Sequence, residues 1–244
     1  MTPAGDSEGP SLQAIAARAV ALVEEGAGPD LVVGLGSGRA ASAFIEALGA
    51  RVRAGLRLSG VATSEGTAAL AQRVGIPLVP ITEDVELALT VDGADEVAPN
   101  LDVIKGRGGA LVRERIVAAA SRRQVILVGP EKLVTRLGER GPVPVEYVPM
   151  SEGLVVRRLK ALGLRPELRR GPGGAPFVSD NGNRIFDCHL GTPLGDGLAA
   201  RAMEAHLRAI AGVVDTGLFL GTAERVLVGH RDGKVDELTR GGMT

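Results

Sequence analysis

Apolar positions recur along the chain in two rhythms, and their alternation sets the expected architecture. Leu12, Ile15, Ala16, Ala19, Val20 and Val23 fall at helical spacing behind Ser11, which is suited to cap that helix. The residues before it, MTPAGDSEGP, read as a flexible start. LVVGLGSG follows as a short β-branched strand running into a glycine-rich turn, and RAASAFIEALGARV as a helix with Ala41, Phe44, Ile45 and Leu48 inward. LRLSGVAT is the next strand, and Ser64 caps the helix EGTAALAQRVG. IPLVPI is a further short apolar run, and LALTV reads as a buried strand ending at Thr90-Val91. ALVRERIVAAA is helical, and QVILVG is a strand closing on Gly129-Pro130-Glu131-Lys132. Strands alternating with helices predict a parallel sheet covered on both faces.

The rhythm changes near Pro142. PVEYVPM reads as a strand, SEGLVVRRLKALG as a helix, and ELRR with PFVSD as a strand around RRGPGGAP. Asp180-Asn181-Gly182-Asn183 is a hairpin turn, and RIFDCHL is the returning strand. DGLAARAMEAHLRAIAG is a helix and VVDTGLFL a strand, giving the order βαββαβ of a ferredoxin-like domain. RVLVGHRDG is expected back in the first sheet. The expected division is a catalytic domain at 1–140 and 221–244 and a small domain at 141–220.

Composition narrows the function. A net charge of -1 gives no global basic field for nucleic acid or an acidic membrane surface. Aromatic residues make up only 2%, which argues against single-strand binding by base stacking. No apolar run is long enough to span a membrane. The start of the chain lacks a basic and apolar signal region, and the lone Cys188 fits a reducing compartment. The expected setting is therefore the cytoplasm.

GSGR, ATSEG, VDGADE and GPEK all stand at predicted strand ends, where ligands of such sheets bind. GLGSGRA lacks the third glycine of a dinucleotide fingerprint and the lysine of a nucleotide P-loop. It reads either as a tight structural turn or as a phosphate cradle made of Ser37, backbone amides and Arg39. Asp92, Asp95 and Glu96 are either acid–base groups or solvated turn residues. Lys105, beside the glycines of KGRGG, is a site cation or a surface charge. Glu114, between Arg113 and Arg115, is a site base or part of an exposed face. Co-occurrence on neighbouring strand ends favours one site. His189, His206 and His230 show no metal-ligand spacing, and Cys188 reads as buried core.

GLGSGRAASAFIEALG, ATSEGT, VDGADEV, IKGRGGALVRERIVAAAS, PVEYVPM and DNGNRIFDCHL together resemble the type A ribose-5-phosphate isomerases. The resemblance spans nearly the whole chain, and the combined VDGADE–KGxGGALxRE pattern is specific to it. It implies a Rossmann-like large domain, a ferredoxin-like small domain, and a homodimer or homotetramer. The implied reaction interconverts ribose 5-phosphate and ribulose 5-phosphate through an enediolate, in the non-oxidative pentose phosphate pathway, without metal or cofactor. Position by position, Glu114 matches the family's base. Asp92 and Asp95, with Gly93 and Ala94 between them, and Lys105 match groups around the open-chain sugar. Ser37 and Gly38 match the phosphate loop, Gly106, Arg107 and Gly108 the backbone after the lysine, and Lys132 a ligand-contacting lysine. Arg39 and Ala40 replace the family's Ser-Thr pair, and a charge-assisted bond from Arg39 is the expected compensation. A non-catalytic sugar-phosphate sensor is disfavoured by the presence of Glu114 and Lys105 together, and an amino-sugar phosphate isomerase or deaminase and a CoA transferase by the combined pattern.

Overall fold

The computed structural model describes residues 9–26, 28, 31–195, 197–240 and 242–243. Of the expected flexible start, residues 1–8 lie outside the described residues. The chain runs α1 (Gly9–Glu25), β1 (Val32–Leu35), α2 (Arg39–Arg53), β2 (Ser59–Ala62), α3 (Glu65–Val74) and β3 (Leu89–Gly93). It continues through β4 (Glu96–Val97), β5 (Val103–Ile104), α4 (Leu111–Ala119), β6 (Gln124–Val128), β7 (Val143–Tyr147) and α5 (Glu152–Ala161). The last elements are β8 (Arg165–Leu168), β9 (Arg184–His189), α6 (Gly197–Arg208), β10 (Val213–Thr216), β11 (Leu218–Phe219), β12 (Arg225–Gly229), β13 (Val235–Thr239) and β14 (Gly242–Met243). Two units result. One holds the chain up to Gly93, Arg113–Lys132 and the chain from Thr222; the other holds Ala94–Val112 and Leu133–Gly221.

The first unit is built on a seven-stranded sheet in the order β14-β13-β12-β6-β3-β1-β2. Its strands from β12 to β2 are parallel, while β13 and β14 are antiparallel. RVLVGHRDG does return to this sheet, as β12 beside β6. Helices α1 and α2 contribute to one apolar core with β1, β3 and β6. Phe44, Ile45 and Leu48, at helical spacing on α2, are fully buried there. Each such side chain stabilises the fold by roughly 1.5–3 kcal/mol relative to exposure. Ser64 caps α3 by accepting the Thr67 N–H at 3.0 Å. Ser11 does not act as a cap. α1 already begins at Gly9, so Ser11 lies inside its first turn and donates its hydroxyl to the Gly229 carbonyl at 2.8 Å. IPLVPI forms only a single bridge, Leu78 to Gly60, because Pro77 and Pro80 supply no ladder donors.

The second unit contains the β7-α5-β8-β9-α6-β10 series, whose antiparallel sheet has the order β10-β7-β9-β8. Tyr147 and Phe186 stack at 4.4 Å within its core, together with Val155, Leu159 and Leu207. VVDTGLFL divides between two sheets. β10 stays in the larger one, and β11 joins a three-stranded sheet in the order β11-β5-β4. Gly217 is the point of division. It donates to the Pro144 carbonyl at 2.7 Å and accepts from the Lys105 N–H at 2.9 Å. A Cβ at Gly217 would stand 2.3 Å from the Lys105 carbonyl oxygen, so no side chain fits. PFVSD adds no strand; Phe177 pairs through its N–H with the Arg169 carbonyl, and Pro176 bridges Arg170.

Candidate active site

In the first unit, the loops after β1, β2, β3 and β6 leave the same edge of the sheet, because those strands are parallel. β1 passes through Gly36 and Ser37 into Gly38, which opens α2 at φ +90°. That conformation suits glycine, and a glycine cap has no side chain to accept the N–H groups of the helix's first turn. Gly36 also permits close packing: a Cβ there would stand 2.3 Å from the Asp92 carboxylate. Arg39 begins α2 and is exposed, while the Ala40 methyl packs toward the core.

Ser37 is the hub of a hydroxyl cluster that the sequence reading did not single out. Its Oγ lies 2.9 Å from Thr63 Oγ1, 2.9 Å from Ser64 Oγ and 3.1 Å from Thr67 Oγ1. Each hydroxyl has one proton to give. Thr63 donates to the Leu35 carbonyl and Thr67 to the Gly36 carbonyl, both at 2.9 Å. Ser64 donates to Thr67, and Ser37 to Ser64. The protons thus point inward and rigidify the loop backbone. The signal was present as ATSEGT, three hydroxyls at the end of β2 and the start of α3.

Asp92, near the end of β3, is 1% exposed. Its Oδ1 accepts the N–H groups of Ser37 at 3.0 Å and Gly93 at 2.7 Å. The carboxylate therefore joins the end of β3 to the loop after β1. Glu114 lies in the first turn of α4 and is 6% exposed. α4 is the crossover between the parallel strands β3 and β6, so its start faces the carboxyl edge where β3 ends. One turn on, Val117 packs with Val61 and Leu87. Glu114 thus stands on the inward face, while Arg113 and Arg115 are half-buried and Ile116 is 52% exposed. Lys132 closes a short 3-10 turn, Pro130–Lys132, just beyond β6, and is half-buried.

The second unit holds the lysine turn. Lys105 is 2% exposed and gives its N–H to Gly217. Its ammonium lies 5.6 Å from the centroid of the Phe219 ring, whose π face favours a cation. Gly106 and Gly109 take φ of +102° and +85°, and the Gly109 N–H closes the turn on the Gly106 carbonyl at 3.0 Å. Gly108 is exposed at the tip. Asp95 Oδ2 accepts the Arg107 N–H at 2.9 Å, a positional role. The Arg107 guanidinium lies 4.0 Å from Asp95 and 3.8 Å from Glu96. Glu96, fully buried, also accepts the N–H groups of Gly138 at 2.6 Å and Arg140 at 2.9 Å. The arginine's charge is thus directed at acids of its own unit.

The first unit brings Ser37, Gly38, Arg39, Ala40, Asp92, Gly93, Glu114 and Lys132 to one sheet edge; the second gathers Ala94, Asp95, Lys105, Gly106, Arg107 and Gly108 around one turn. His189 lies 3.4 Å from Glu167, and His230 lies 2.8 Å from Asp236. Burial pushes the Cys188 thiol up, which keeps it protonated and poorly nucleophilic. Among the described residues, no group of three or more His, Cys, Asp or Glu side chains is arranged to hold a metal. Among them, too, no helix is long and apolar enough to cross a membrane.

The family described as Ribose 5-phosphate isomerase A (phosphoriboisomerase A) matches residues 59–233. A protein named Ribose-5-phosphate isomerase A from Roseiflexus sp. (strain RS-1) is 47% identical over 226 residues, covering 92% of this chain and 94% of its own. A protein of the same name from Deinococcus radiodurans is 47% identical over 227 residues, covering 92% and 96% respectively. Among solved structures, ribose 5-phosphate isomerase A from Methanocaldococcus jannaschii matches with a TM-score of 0.86 at 37% identity, over 96% of this chain and 100% of that one. A D-ribose-5-phosphate isomerase in complex with phospho-erythronic acid matches with a TM-score of 0.86 at 35% identity, over 94% and 97%.

Proposed function

The chain belongs to the ribose 5-phosphate isomerase A family, and from that premise we propose which of its residues carry out the isomerisation and how. The enzyme interconverts D-ribose 5-phosphate and D-ribulose 5-phosphate. The observation that carries the assignment of residues is the burial of two carboxylates, Asp92 and Glu114, at the carboxyl edge of one parallel sheet.

The reaction moves one hydrogen from C2 of the open-chain aldose to C1. Glu114 removes the C2 proton, and the electron pair left behind forms the C1–C2 double bond as the C1 carbonyl oxygen becomes anionic. A carboxylate is a weak base for such a carbon acid, so the developing enediolate needs stabilisation. The Lys105 ammonium supplies positive charge that binds the enediolate more strongly than the carbonyl. Asp92 exchanges the hydroxyl protons: the C2 hydroxyl loses its proton as the ketone forms, and the C1 oxygen gains one. Glu114 returns its proton to C1, which completes the balance. A structural relative is described in complex with phospho-erythronic acid, a phosphorylated sugar acid, which supports a site for an anionic sugar phosphate. The phosphate is taken by the N–H groups opening α2, with Arg39 adjacent and Lys132 beyond β6 on the same sheet edge. This remote anchor fixes the reacting carbons. Asp95 and the backbone of Gly93, Ala94, Gly106, Arg107 and Gly108 shape the sugar subsite.

Glu114→Gln tests the assignment. Turnover is expected to fall by roughly 10²–10⁴-fold, with substrate affinity largely kept. Near-normal turnover in a folded variant would remove Glu114 as the base. The same reading places the enzyme in the cytoplasm as a dimer or tetramer, to be checked by light scattering of the purified protein.

A further inference from the structure

Arg169 has no place in the chemistry above, yet it is aimed at the backbone that carries Lys105. It follows β8, and its side chain is only 11% exposed. Nε donates to Asp187 Oδ2 at 3.0 Å, and Nη2 pairs with Asp187 Oδ1. The remaining arm, Nη1, donates to the Gly106 carbonyl at 2.7 Å and the Arg107 carbonyl at 3.2 Å. The guanidinium lies 5.9 Å from the centroid of the Phe177 ring. The tip of that ring fills the space beside Gly109, where a Cβ would stand 2.4 Å from it.

A turn with glycine at both positive-φ positions has a large conformational freedom to lose. On its amino side Lys105 is fixed by the bond to Gly217. On its carboxyl side, the two bonds from Arg169 hold consecutive carbonyls, and each is charge-assisted. Asp187 orients the guanidinium as a fork and balances its charge. The sheet itself does not depend on this pair: β8 and β9 are already joined by a backbone ladder from Arg165–His189 to Leu168–Phe186.

We propose that Arg169, set by Asp187, is a positioning residue for the isomerisation: it fixes the carbonyls after Lys105 and thereby the aim of the ammonium. This rests on the reading of Lys105 as the group that stabilises the enediolate. Misplacing a transition-state group costs turnover rather than substrate affinity.

The test is a double-mutant cycle in kcat, with Arg169→Met, Lys105→Gln and the pair combined, at enzyme concentrations that resolve residual rates. Arg169→Met is expected to lower kcat roughly tenfold to a hundredfold with KM within about twofold of the parent. Arg169→Lys, which keeps the charge but loses the fork, is expected to recover part of the loss. In the Lys105→Gln background, Arg169→Met is expected to cost nothing further, because the two act through one group. Arg184→Gln, which breaks a pair with Glu152 in the same unit, serves as the stability control and is expected to leave kcat unchanged. If Arg169→Met fails to fold, Asp187→Asn replaces it in the cycle with the same expected pattern. A kcat within about twofold of the parent, or losses that multiply in the double variant, overturns the proposal. A Lys105→Gln enzyme with normal kcat instead overturns the reading of Lys105, a separate result.

Discussion

The absence of a methyl group at position 36 decides where Asp92 stands. A Cβ there would lie 2.3 Å from the Asp92 Oδ1 that holds the Ser37 and Gly93 N–H groups. Gly36→Ala is therefore expected to displace the carboxylate, lowering kcat at least tenfold while costing about 1–3 kcal/mol in denaturant unfolding. Arg39 is the other informative residue. It stands exposed at the start of α2. Arg39→Ala is expected to raise KM about tenfold with kcat nearly kept, the size of one charge-assisted hydrogen bond of roughly 1.5 kcal/mol. Steady-state kinetics check both. The residue types at these positions were legible in the sequence. The inward hydrogen bonding of Ser37, Thr63, Ser64 and Thr67 was not, because it joins the ends of β1 and β2, which are separated along the chain.

Among the elements, α4 shows why a local pattern leaves alternatives open. With arginines on both sides, Glu114 reads equally as part of a solvated face. Its burial follows from the crossover from β3 to β6, which turns that side of the helix onto the sheet. α1 is held to β13 in a different way, by Arg18 donating to Glu237. That hydrogen bond, followed by coulombic attraction, keeps the Glu237 carboxyl below the usual carboxylate range despite burial. A carboxyl with a lowered folded-state pKa stabilises the fold above its unfolded pKa, and the contribution is lost as pH falls through the folded value. Arg18→Ala is thus expected to cost about 1 kcal/mol at neutral pH, and less as the pH drops below about 4. Urea unfolding of both proteins across that range checks it.

For the enzyme as a whole, the positive charge that the enediolate needs is assigned to Lys105. Dialysis against a chelator is therefore expected to leave turnover unchanged, and loss restored by a divalent ion would overturn that assignment. The VDGADE to RERIV stretch contributes to both units: the chain leaves the first after Gly93 and returns to it at Arg113. Asp92 and Glu114 thus belong to the first unit and Asp95, Glu96 and Lys105 to the second, despite their closeness in sequence.

Element types and faces were determined locally. Helical spacing marked the inward side of α2, strand alternation with helices announced the parallel sheet, and the βαββαβ order announced the second sheet. These signals lie within a few turns or one pleat, where backbone geometry fixes which side chains share a face. Gly217 shows where local reading stops: VVDTGLFL reads as one strand, yet it serves two sheets because Pro144 and Lys105 close in on that glycine. The site follows the same division. The sequence supplied Asp92, Lys105 and Glu114 with their chemistry. Folding is what buries Asp92 and Glu114 at one sheet edge, turns Arg107 toward Asp95 and Glu96, and sets Arg169 on the lysine turn. Those facts depend on groups brought together across long stretches of chain, and burial and hydrogen-bond partners come into being only with that packing.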